Sequence, residues 1–580
     1  MNTPKLVEMR GNKIVARMLE KLGVTEMFAY PGGFSLELHQ ALSESSVRVV
    51  LPRHEQGGAF GADGYARISG KVGVCMATSG PGATNLLTGI ADCYMDSIPT
   101  VFITGQVPAN MIGKNVFQET DIIGMTRPII KHSYLVFDAA DIPRVMREAF
   151  YIAASGRPGP VLVDIPKNVQ QQITMVDLDA PMRLDSYTMP PPPSAADIEK
   201  IKAMIKVAKR PLIYAGGGII TAECSELLQK FAESYNIPVV TTLMGIGTIP
   251  DDHPLSLRWF GMHGMAYANF AANEADLLIV LGARFDDRVT GDPRMFATVA
   301  NIVHIDIDES EINKNKPATF AVVASVKEAL AELVKEPIHK DYAEWFAQIK
   351  EWKALYPLRY DFNSEALQPQ YVIETLARIT EGKAVIVPGV GQHQMWAAQY
   401  YKYSYPRQFL TSGGLGSMGF GLPAAMGAKL ACPEKLVINI DGDGSFQMNI
   451  QELGTLFVEG INVKMIILNN QHLGMVAQWE DRFYGGNRGN TVLGRCRGSS
   501  GGEDYCAKCG EHKPYPEFVQ IAKGYGIPGR DVFKIEELED AINEMLATDG
   551  PFLLDVHTGY QEHVLPMIPA GKDYKSIILK

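Results

Sequence analysis

The chain has 580 residues, more than one hydrophobic core supports, so we expect about three or four domains. Its hydrophobic content of 46% and charged content of 21% are ordinary for a globular protein, and no stretch approaches the roughly 18 unbroken apolar residues of a membrane-spanning helix. The net charge of −11, without clustered Lys and Arg, argues against a nucleic-acid partner.

The N-terminal segment shows no targeting pattern. Residues 1–5 lead into a helix-like pattern, with neither the apolar core of a signal peptide nor the Arg- and Ser-rich composition of a transit segment. We therefore expect a cytoplasmic protein that acts on small molecules, without a nucleic-acid or membrane partner.

Short apolar runs alternate with longer segments of helical period along the whole chain. This pattern is typical of buried parallel strands joined by crossover helices. The predicted strands are residues 72–77, 100–104, 161–165, 212–215, 277–281, 302–305, 384–387, 436–440, 463–468 and 552–556. The sequence therefore predicts an α/β fold throughout.

Two segments interrupt this alternation. The proline run at 190–193 is stiff and cannot join a sheet, and the polar stretch at 356–369 follows an amphipathic helix. These breaks predict three domains, at residues 1–189, 194–345 and 365–580.

Polar turns follow two neighbouring strands of the predicted third domain, with Asp-Gly-Asp-Gly-Ser at 441–445 and Asn-Asn-Gln-His at 469–472. Ligands bind at the carboxyl ends of strands in open α/β sheets, where glycines let backbone N–H groups approach phosphate. Asp443, the Asn470 amide and a backbone carbonyl near His472 would supply oxygen ligands to a hard divalent cation. The sequence therefore predicts a magnesium site.

Two rival interpretations of glycine-rich segments fail. A calcium loop starting at Asp441 would need glycine where Phe446 stands, and a helix where a strand precedes it. Residues 414–419 match G-x-G-x-x-G, but without the strand and downstream acid of a nicotinamide site. A plain tight turn at 441–445 stays an alternative, and the Asn-Asn pair at the next strand end argues against it.

Motifs on two separate domains point to one superfamily. Gly-Asp-Gly at 442–444 with Asn-Asn at 469–470 resembles the thiamine diphosphate-binding motif. Arg-His-Glu-Gln at 53–56, with the segments at 62–67 and 79–85, resembles the pyrimidine-binding domain of the same superfamily. More narrowly, residues 282–291, 390–396, 471–479 and 561–569 are similar to catalytic subunits of the biosynthetic acetohydroxyacid synthase (acetolactate synthase) family.

The resemblance covers almost the whole chain and implies three doubly wound parallel-sheet domains: pyrimidine-binding, central FAD-binding-like, and diphosphate- and metal-binding. It implies decarboxylation of pyruvate and ligation of the hydroxyethyl unit to a second pyruvate or 2-ketobutyrate, the first common step of valine, leucine and isoleucine biosynthesis. In the superfamily the cofactor lies between the first domain of one subunit and the third domain of its partner. A homodimer or tetramer is therefore implied, and a small regulatory subunit is left open.

Five residues match active-site positions of the family. Glu55 would hydrogen-bond to the cofactor pyrimidine and so promote loss of the C2 proton. Arg288 would pair with the carboxylate of the second keto acid through its planar fork, while Trp479 would shape its alkyl pocket. Gln118 and Lys167 are active-site residues by resemblance only.

The resemblance also implies contacts to thiamine diphosphate from the third domain. These residues are Val390, Gly391, Gln392, His393, Gly416, Met418, Gly444, Ser445, Gly474 and Met475. Met418 has an unbranched, adaptable side chain, which suits a role in holding the cofactor in a bent shape.

The central domain carries three glycines after a strand, a turn able to approach a dinucleotide pyrophosphate. Alone this turn has no specific function, but a wider set resembles the FAD site of the biosynthetic enzymes, where the flavin does no net redox work. The set is Arg157, Gly216, Gly217, Gly218, Thr242, Leu243, Met244, His263, Gly282, Arg284, Asp286, Asp306 and Ile307.

After residue 494 the chain is longer than the family pattern and contains Cys496, Cys506, Cys509 and His512. Three thiols and an imidazole match the ligand count of a tetrahedral zinc site, but only the two cysteines at 506 and 509 have a recognised ligand spacing. Free or redox-active thiols are the alternative.

Two other functions are weighed against the synthase. A related FAD- and thiamine diphosphate-dependent pyruvate oxidase would use its flavin in redox chemistry. A non-catalytic homologue would have no need of Glu55 together with Asp443 and Asn470. The sequence does not fix the preferred second keto acid, feedback regulation or herbicide sensitivity.

Overall fold

Three parallel sheets form the framework of the chain. A computed structural model describes residues 6–361, 366–494, 515–559 and 562–580. Helices separate the strands of each sheet, which confirms the predicted α/β fold. All ten predicted strands overlap strands of the structure. The domain boundaries stay a prediction.

The first sheet has six strands in the order β3-β2-β4-β5-β7-β6, and a separate antiparallel pair joins β1 to β8. The strands are β1 Val7–Arg10, β2 Glu26–Ala29, β3 Arg48–Val50, β4 Gly73–Ala77, β5 Thr100–Gln106, β6 His132–Leu135, β7 Pro160–Pro166 and β8 Ile173–Val176. The helices are α1 Gly11–Lys21, α2 Leu36–Leu42, α3 Glu55–Ser69, α4 Pro81–Asn85, α5 Leu87–Asp96, α6 Ile122–Thr126, α7 Ile142–Ala154 and α8 Lys167–Gln171.

The central sheet has six strands in the order β11-β10-β9-β12-β13-β14. The strands are β9 Pro211–Ala215, β10 Val239–Thr241, β11 Ser256–Trp259, β12 Leu277–Leu281, β13 Asn301–Asp306 and β14 Phe320–Val323. The helices are α9 Ala195–Val207, α10 Gly218–Thr221, α11 Ser225–Tyr235, α12 Ala266–Glu274, α13 Asp287–Thr290, α14 Val326–Leu333 and α15 Ala343–Leu355.

The third sheet has five strands in the order β15-β16-β17-β19-β18. The strands are β15 Val385–Pro388, β16 Val437–Gly442, β17 Lys464–Asn469, β18 Gly529–Val532 and β19 Phe552–His557. The helices are α16 Pro369–Ile379, α17 Gln392–Tyr400, α18 Gly421–Ala431, α19 Asp443–Phe446, α20 Leu453–Glu459, α21 Gly474–Phe483, α22 Phe518–Gly524 and α23 Ile535–Ala547.

Helix α3 of the first domain packs directly against the third domain. It starts where the His54 side chain accepts a hydrogen bond from the Gln56 N–H, and it ends at Gly70, whose φ of 71° suits glycine. A Cβ at Gly64 would lie 2.1 Å from the Ala424 carbonyl oxygen of α18, and a Cβ at Gly427 would lie 1.8 Å from the Gly61 oxygen. The backbones of α3 and α18 are therefore in direct contact.

The buried core also crosses the domain limits. One apolar cluster lies within the first domain, a second joins the first and third domains, and the largest joins the central and third domains. Burial of this apolar surface holds the three sheets in one arrangement. In the parts of the chain that the structure describes, no helix is long and apolar enough to cross a membrane.

Candidate active site

A cavity of about 830 Å³ opens where the three domains meet. All thirteen predicted flavin residues line it, namely Arg157, Gly216, Gly217, Gly218, Thr242, Leu243, Met244, His263, Gly282, Arg284, Asp286, Asp306 and Ile307. Seven other predicted site residues line it as well, namely Arg288, Val390, Gly391, Gly416, Met418, Met475 and Trp479. The structure thus brings together residues that the sequence distributes over all three domains.

Close backbone contact shapes the central-domain wall of this cavity. The Gly218 N–H donates to the Gly282 carbonyl oxygen at 3.1 Å. A Cβ at Gly216 would lie 2.1 Å from that same oxygen, and a Cβ at Gly218 would lie 2.7 Å from the Gly282 Cα. Only glycine therefore lets the turns after β9 and β12 approach each other here.

We predict that Gly216→Ala lowers the midpoint of thermal unfolding by about 1–3 °C, because the added methyl group forces the two turns apart at a cost of about 1–3 kcal/mol. Gly524→Ala in α22 is the matched control, since a Cβ there meets no atom within 4 Å. Differential scanning calorimetry of both variants measures the shift. Equal midpoints for the two variants would contradict the prediction.

Polar groups on the same wall are available to a ligand. The Thr242 Oγ1 atom is buried and has no hydrogen-bond partner among the described residues. Burial lowers the pKa of His263 to about 4, so its imidazole is neutral at pH 7. Burial also raises the pKa of Asp306 to about 6. From the first domain, Arg157 also lines the cavity, and it is paired there with Asp308 at 3.0 Å and with Glu311.

Arg288 and Trp479 line the cavity from different domains. Arg288 lies on α13, whose first turn is capped by the Asp286 carboxylate, and its side chain is 60% exposed. Trp479 lies on α21, with its ring 5.2 Å from that of Phe483. A partly exposed guanidinium and an indole ring can recognise the two ends of a small carboxylic acid.

The two polar turns of the third domain meet as the sequence predicts. Strands β16 and β17 are parallel neighbours, so Asp443 and Asn470 leave the same sheet edge. The backbone N–H of Asn470 donates to the Asp443 carboxylate, and the Asn470 side-chain oxygen accepts from the His472 N–H at 3.1 Å. Asp443 is 1% exposed, and this burial raises its pKa to about 6. A buried carboxylate beside amide oxygens fits a hard cation.

Neighbouring side chains pack closely beside this turn pair. The Gln392 side chain donates to the Gln478 side-chain oxygen at 3.0 Å, and a Cβ at Gly474 would lie 2.1 Å from the Gln392 Oε1 atom. The Ser445 hydroxyl accepts from the Gly419 N–H at 3.0 Å. The predicted cofactor residues Gln392, His393, Gly444, Ser445 and Gly474 surround this turn pair beside the cavity and do not line it.

Glu55 begins α3 at the carboxyl edge of the first sheet. Its Oε2 atom accepts a hydrogen bond from the Asn85 amide at 2.9 Å, and its Oε1 atom lies 3.3 Å from the position of a Cβ at Gly82. Among the described residues, no hydrogen bond joins Glu55 to the Asp443 turn, and Glu55 does not line the cavity.

Gln118 and Lys167 lie at the same sheet edge as Glu55. The Gln118 backbone has a φ of 58° and packs 2.9 Å from the position of a Cβ at Gly80. Lys167 begins α8, and its Nζ atom donates to the Gly33 carbonyl oxygen at 3.1 Å. The structure thus brings these first-domain residues together around the loops that follow the strands.

A buried carboxyl group supports the segment that carries Gln118. Asp164 on β7 accepts from Thr104 at 2.8 Å and from the Gln106 amide at 2.9 Å, and that amide also donates to the Thr120 carbonyl oxygen at 3.1 Å. Burial raises the pKa of Asp164 to about 7. The folded chain therefore binds a proton here more tightly than the unfolded chain.

The stabilising effect of Asp164→Asn should accordingly grow with pH. The charge on Asp164 costs stability once the pH exceeds its unfolded pKa of about 3.9, and the cost rises until the pH passes its folded pKa. Between pH 5.5 and pH 8, we expect the difference in unfolding free energy between the variant and the wild type to shift in favour of the variant by about 2 kcal/mol. Urea denaturation at both pH values measures it, and a shift in the opposite direction would show the sign to be wrong.

Two features near the site were not anticipated from the sequence. The Tyr515 hydroxyl donates to the Asp443 carboxylate. Arg67 forms buried ion pairs with Asp63, Asp92 and Asp96 beside the cavity. The spacing of the two acids on α5, four residues apart in an apolar helix, is a signal that could have indicated an inward-facing ion pair.

The four residues considered as zinc ligands or free thiols, Cys496, Cys506, Cys509 and His512, lie outside the described residues.

Sequence comparisons find family models and relatives that match this chain. Family models match residues 9–125 (thiamine pyrophosphate enzyme, N-terminal TPP binding domain), 198–333 (central domain) and 389–556 (C-terminal TPP binding domain). The chain is 53% identical over 578 residues to acetolactate synthase 3, chloroplastic, of Brassica napus, covering 98% of this chain and 86% of the relative. It is 53% identical over 579 residues to acetolactate synthase 1, chloroplastic, of Zea mays (98% and 89%), and 52% identical over 578 residues to acetolactate synthase, chloroplastic, of Arabidopsis thaliana (98% and 84%).

Proposed function

Because the chain belongs to the acetolactate synthase family of thiamine pyrophosphate enzymes, we propose that it decarboxylates pyruvate and ligates the hydroxyethyl unit to a second pyruvate or to 2-ketobutyrate. It is a transferase that depends on thiamine diphosphate, also called thiamine pyrophosphate. The reaction of this family is the first step in branched-chain amino acid synthesis. The observation that carries the proposal is the buried Asp443–Asn470 pair beside a cavity that three domains share.

The donor set supports a magnesium-anchored diphosphate. Asp443, the Asn470 side chain and the backbone carbonyl of His472 would hold Mg²⁺, because their oxygens are ligands that this cation prefers. Gly444, Ser445 and Gly474 would lie against the diphosphate, and Met418 would support the rings from the cavity wall. When bound, thiamine diphosphate supplies the electron sink for the carbon–carbon bond that breaks in the keto acid.

Glu55 of one chain would hold a proton at the pyrimidine ring of the cofactor that a second copy of the chain binds. The arrangement that the superfamily resemblance implies, together with the absence of Glu55 from the cavity lining within one chain, supports a homodimer as the smallest active unit. Exposed apolar side chains near this sheet edge, including Phe117 at 81% exposure, agree with a surface that another copy covers. Gln118 and Lys167 would complete this half of the site. Assembly into a tetramer and binding of a regulatory subunit stay predictions.

The second keto acid would bind between Arg288 and Trp479. The Arg288 guanidinium would orient the carboxylate, and the Trp479 ring would limit the size of the alkyl group. Both side chains line the shared cavity, which supports this assignment.

The central-domain wall would hold FAD. Its support is the close contact of the glycine turns, the buried Thr242 hydroxyl without a partner among the described residues, and a cavity of about 830 Å³. The flavin would hold the residues around the cavity in place and would do no net redox work.

We also propose a cytoplasmic location, although the names of the relatives place those proteins in the chloroplast.

The test is product analysis with purified protein, thiamine diphosphate, Mg²⁺ and FAD. We expect acetolactate from pyruvate alone, and both acetolactate and acetohydroxybutyrate from pyruvate mixed with 2-ketobutyrate. Acetate formation that depends on oxygen or quinone, without carboligation, would instead identify an oxidase. Binding of thiamine diphosphate without any turnover would identify a non-catalytic homologue.

A further inference from the structure

Four buried charged residues of the first domain form what we call the Arg67 cluster: Arg67, Asp63, Asp92 and Asp96. The Arg67 guanidinium contacts Asp63, and it lies 3.3 Å from Asp92 and 2.9 Å from Asp96. The side chains are at most 4% exposed. One guanidinium faces three carboxyl groups, so ion pairing within the cluster cannot satisfy them all.

The remaining hydrogen bonds to Asp92 and Asp96 come from the third domain. The hydroxyl groups of Ser412 and Ser417 both donate to the Asp92 Oδ1 atom, the latter at 2.9 Å. The backbone N–H groups of Gly413 and Gly414 donate to Asp96 at 2.9 and 2.7 Å. A buried carboxylate is costly without such donors, so Asp92 and Asp96 favour the conformation of this segment that presents them.

The segment that supplies these donors, residues 412–418, also forms part of the cofactor cavity. Ser412, Gly414, Gly416 and Met418 line that cavity. Ser412 fixes the segment internally, because its Oγ atom accepts from the Gly416 N–H at 3.0 Å and from the Ser417 N–H at 2.9 Å. We call this segment the 412–418 loop.

We propose that Asp92 and Asp96 of the Arg67 cluster position the 412–418 loop and thereby set how tightly the chain binds thiamine diphosphate. This inference rests on the proposed function, since it assumes that this cofactor lies against Gly416 and Met418. Asp92 and Asp96 are positioning residues: the hydrogen bonds that they accept from the loop would hold it against the cofactor.

Ser412→Ala removes the central hydrogen bonds of this arrangement, and Asp63→Asn is its matched control. Asp63 belongs to the same buried cluster, but its hydrogen bonds reach Arg67 and Cys93 rather than the loop. We expect Ser412→Ala to weaken thiamine diphosphate binding, measured by titration calorimetry with Mg²⁺, by about tenfold. Ser412→Thr, which keeps the hydroxyl group, should restore most of the affinity.

Hydrogen exchange provides a second measurement that does not need the cofactor. In the cofactor-free protein, we expect the amides of the 412–418 loop to exchange about tenfold faster in Ser412→Ala than in the wild type. In Asp63→Asn, the loop exchange and the dissociation constant should stay within about twofold of the wild type, even where the melting temperature falls. Ser417→Ala, which removes a single hydrogen bond to Asp92, serves the same test if Ser412→Ala fails to fold.

The outcomes separate the two proposals. The inference is wrong if the wild type binds thiamine diphosphate and the serine variants bind it equally well, or if Asp63→Asn weakens binding as much as they do. A wild type that binds no thiamine diphosphate would overturn the proposed function itself.

Discussion

Glu55→Gln is expected to lower kcat for acetolactate formation by about two to four orders of magnitude. The substitution keeps the size of the side chain and an acceptor for the Asn85 amide, but it removes the carboxyl group that we propose exchanges a proton with the cofactor. Stopped assays of acetolactate with saturating thiamine diphosphate, Mg²⁺ and pyruvate measure the loss.

A matched control distinguishes this role from a general effect of charge at a helix start. Glu226 is an exposed acid in the first turn of α11, so Glu226→Gln should leave kcat within about twofold. Retention of more than about a tenth of wild-type kcat in Glu55→Gln would contradict its assignment as the activating acid.

Asp443→Asn is expected to weaken Mg²⁺-dependent binding of thiamine diphosphate by about 100-fold or more, and activity should fall with it. The amide has nearly the same shape, but it places a neutral group where the proposed magnesium site would have a carboxylate. Calorimetric titration of thiamine diphosphate at several Mg²⁺ concentrations measures the effect. Asp540→Asn, at an exposed position on α23, is the control and should bind normally.

Mixing the two inactive variants tests the arrangement of subunits. If Glu55 serves the Asp443 turn of a second copy, random reassortment of Glu55→Gln with Asp443→Asn gives mixed dimers that each contain one intact site. About a quarter of wild-type activity should then return. An unchanged, inactive mixture, despite subunit exchange seen by native mass spectrometry, would show that both residues act within one chain.

The strand framework was predictable from local sequence, whereas the predicted cavity residues were identified mainly through the family resemblance. Buried parallel strands are apolar throughout, and the polar turns after 436–440 and 463–468 meet because these strands are parallel neighbours. The glycines at 216–218 were recognised as a close-approach turn, but the partner backbone at Gly282 became visible only in the structure.

Contacts between distant parts of the chain were not predictable in this way. The sequence favours a helix-like pattern from the N-terminus, whereas the described chain begins with β1, which pairs antiparallel with β8. A four-residue strand of this kind depends on its partner rather than on its own pattern. The hydrogen bonds from Ser412 to Asp92 likewise join two domains, and periodicity within either segment carries no sign of them.

The backbone contact between α3 and α18 has a consequence for biosynthesis. During translation, the first domain would be complete long before α18 is made. The glycine-rich surface around Gly61 and Gly64 would therefore stay exposed to solvent while the central domain forms. The nascent first domain would then be a client for chaperones rather than an autonomous module. Expressed alone, residues 1–189 should tend to aggregate, although they contain a complete six-stranded sheet.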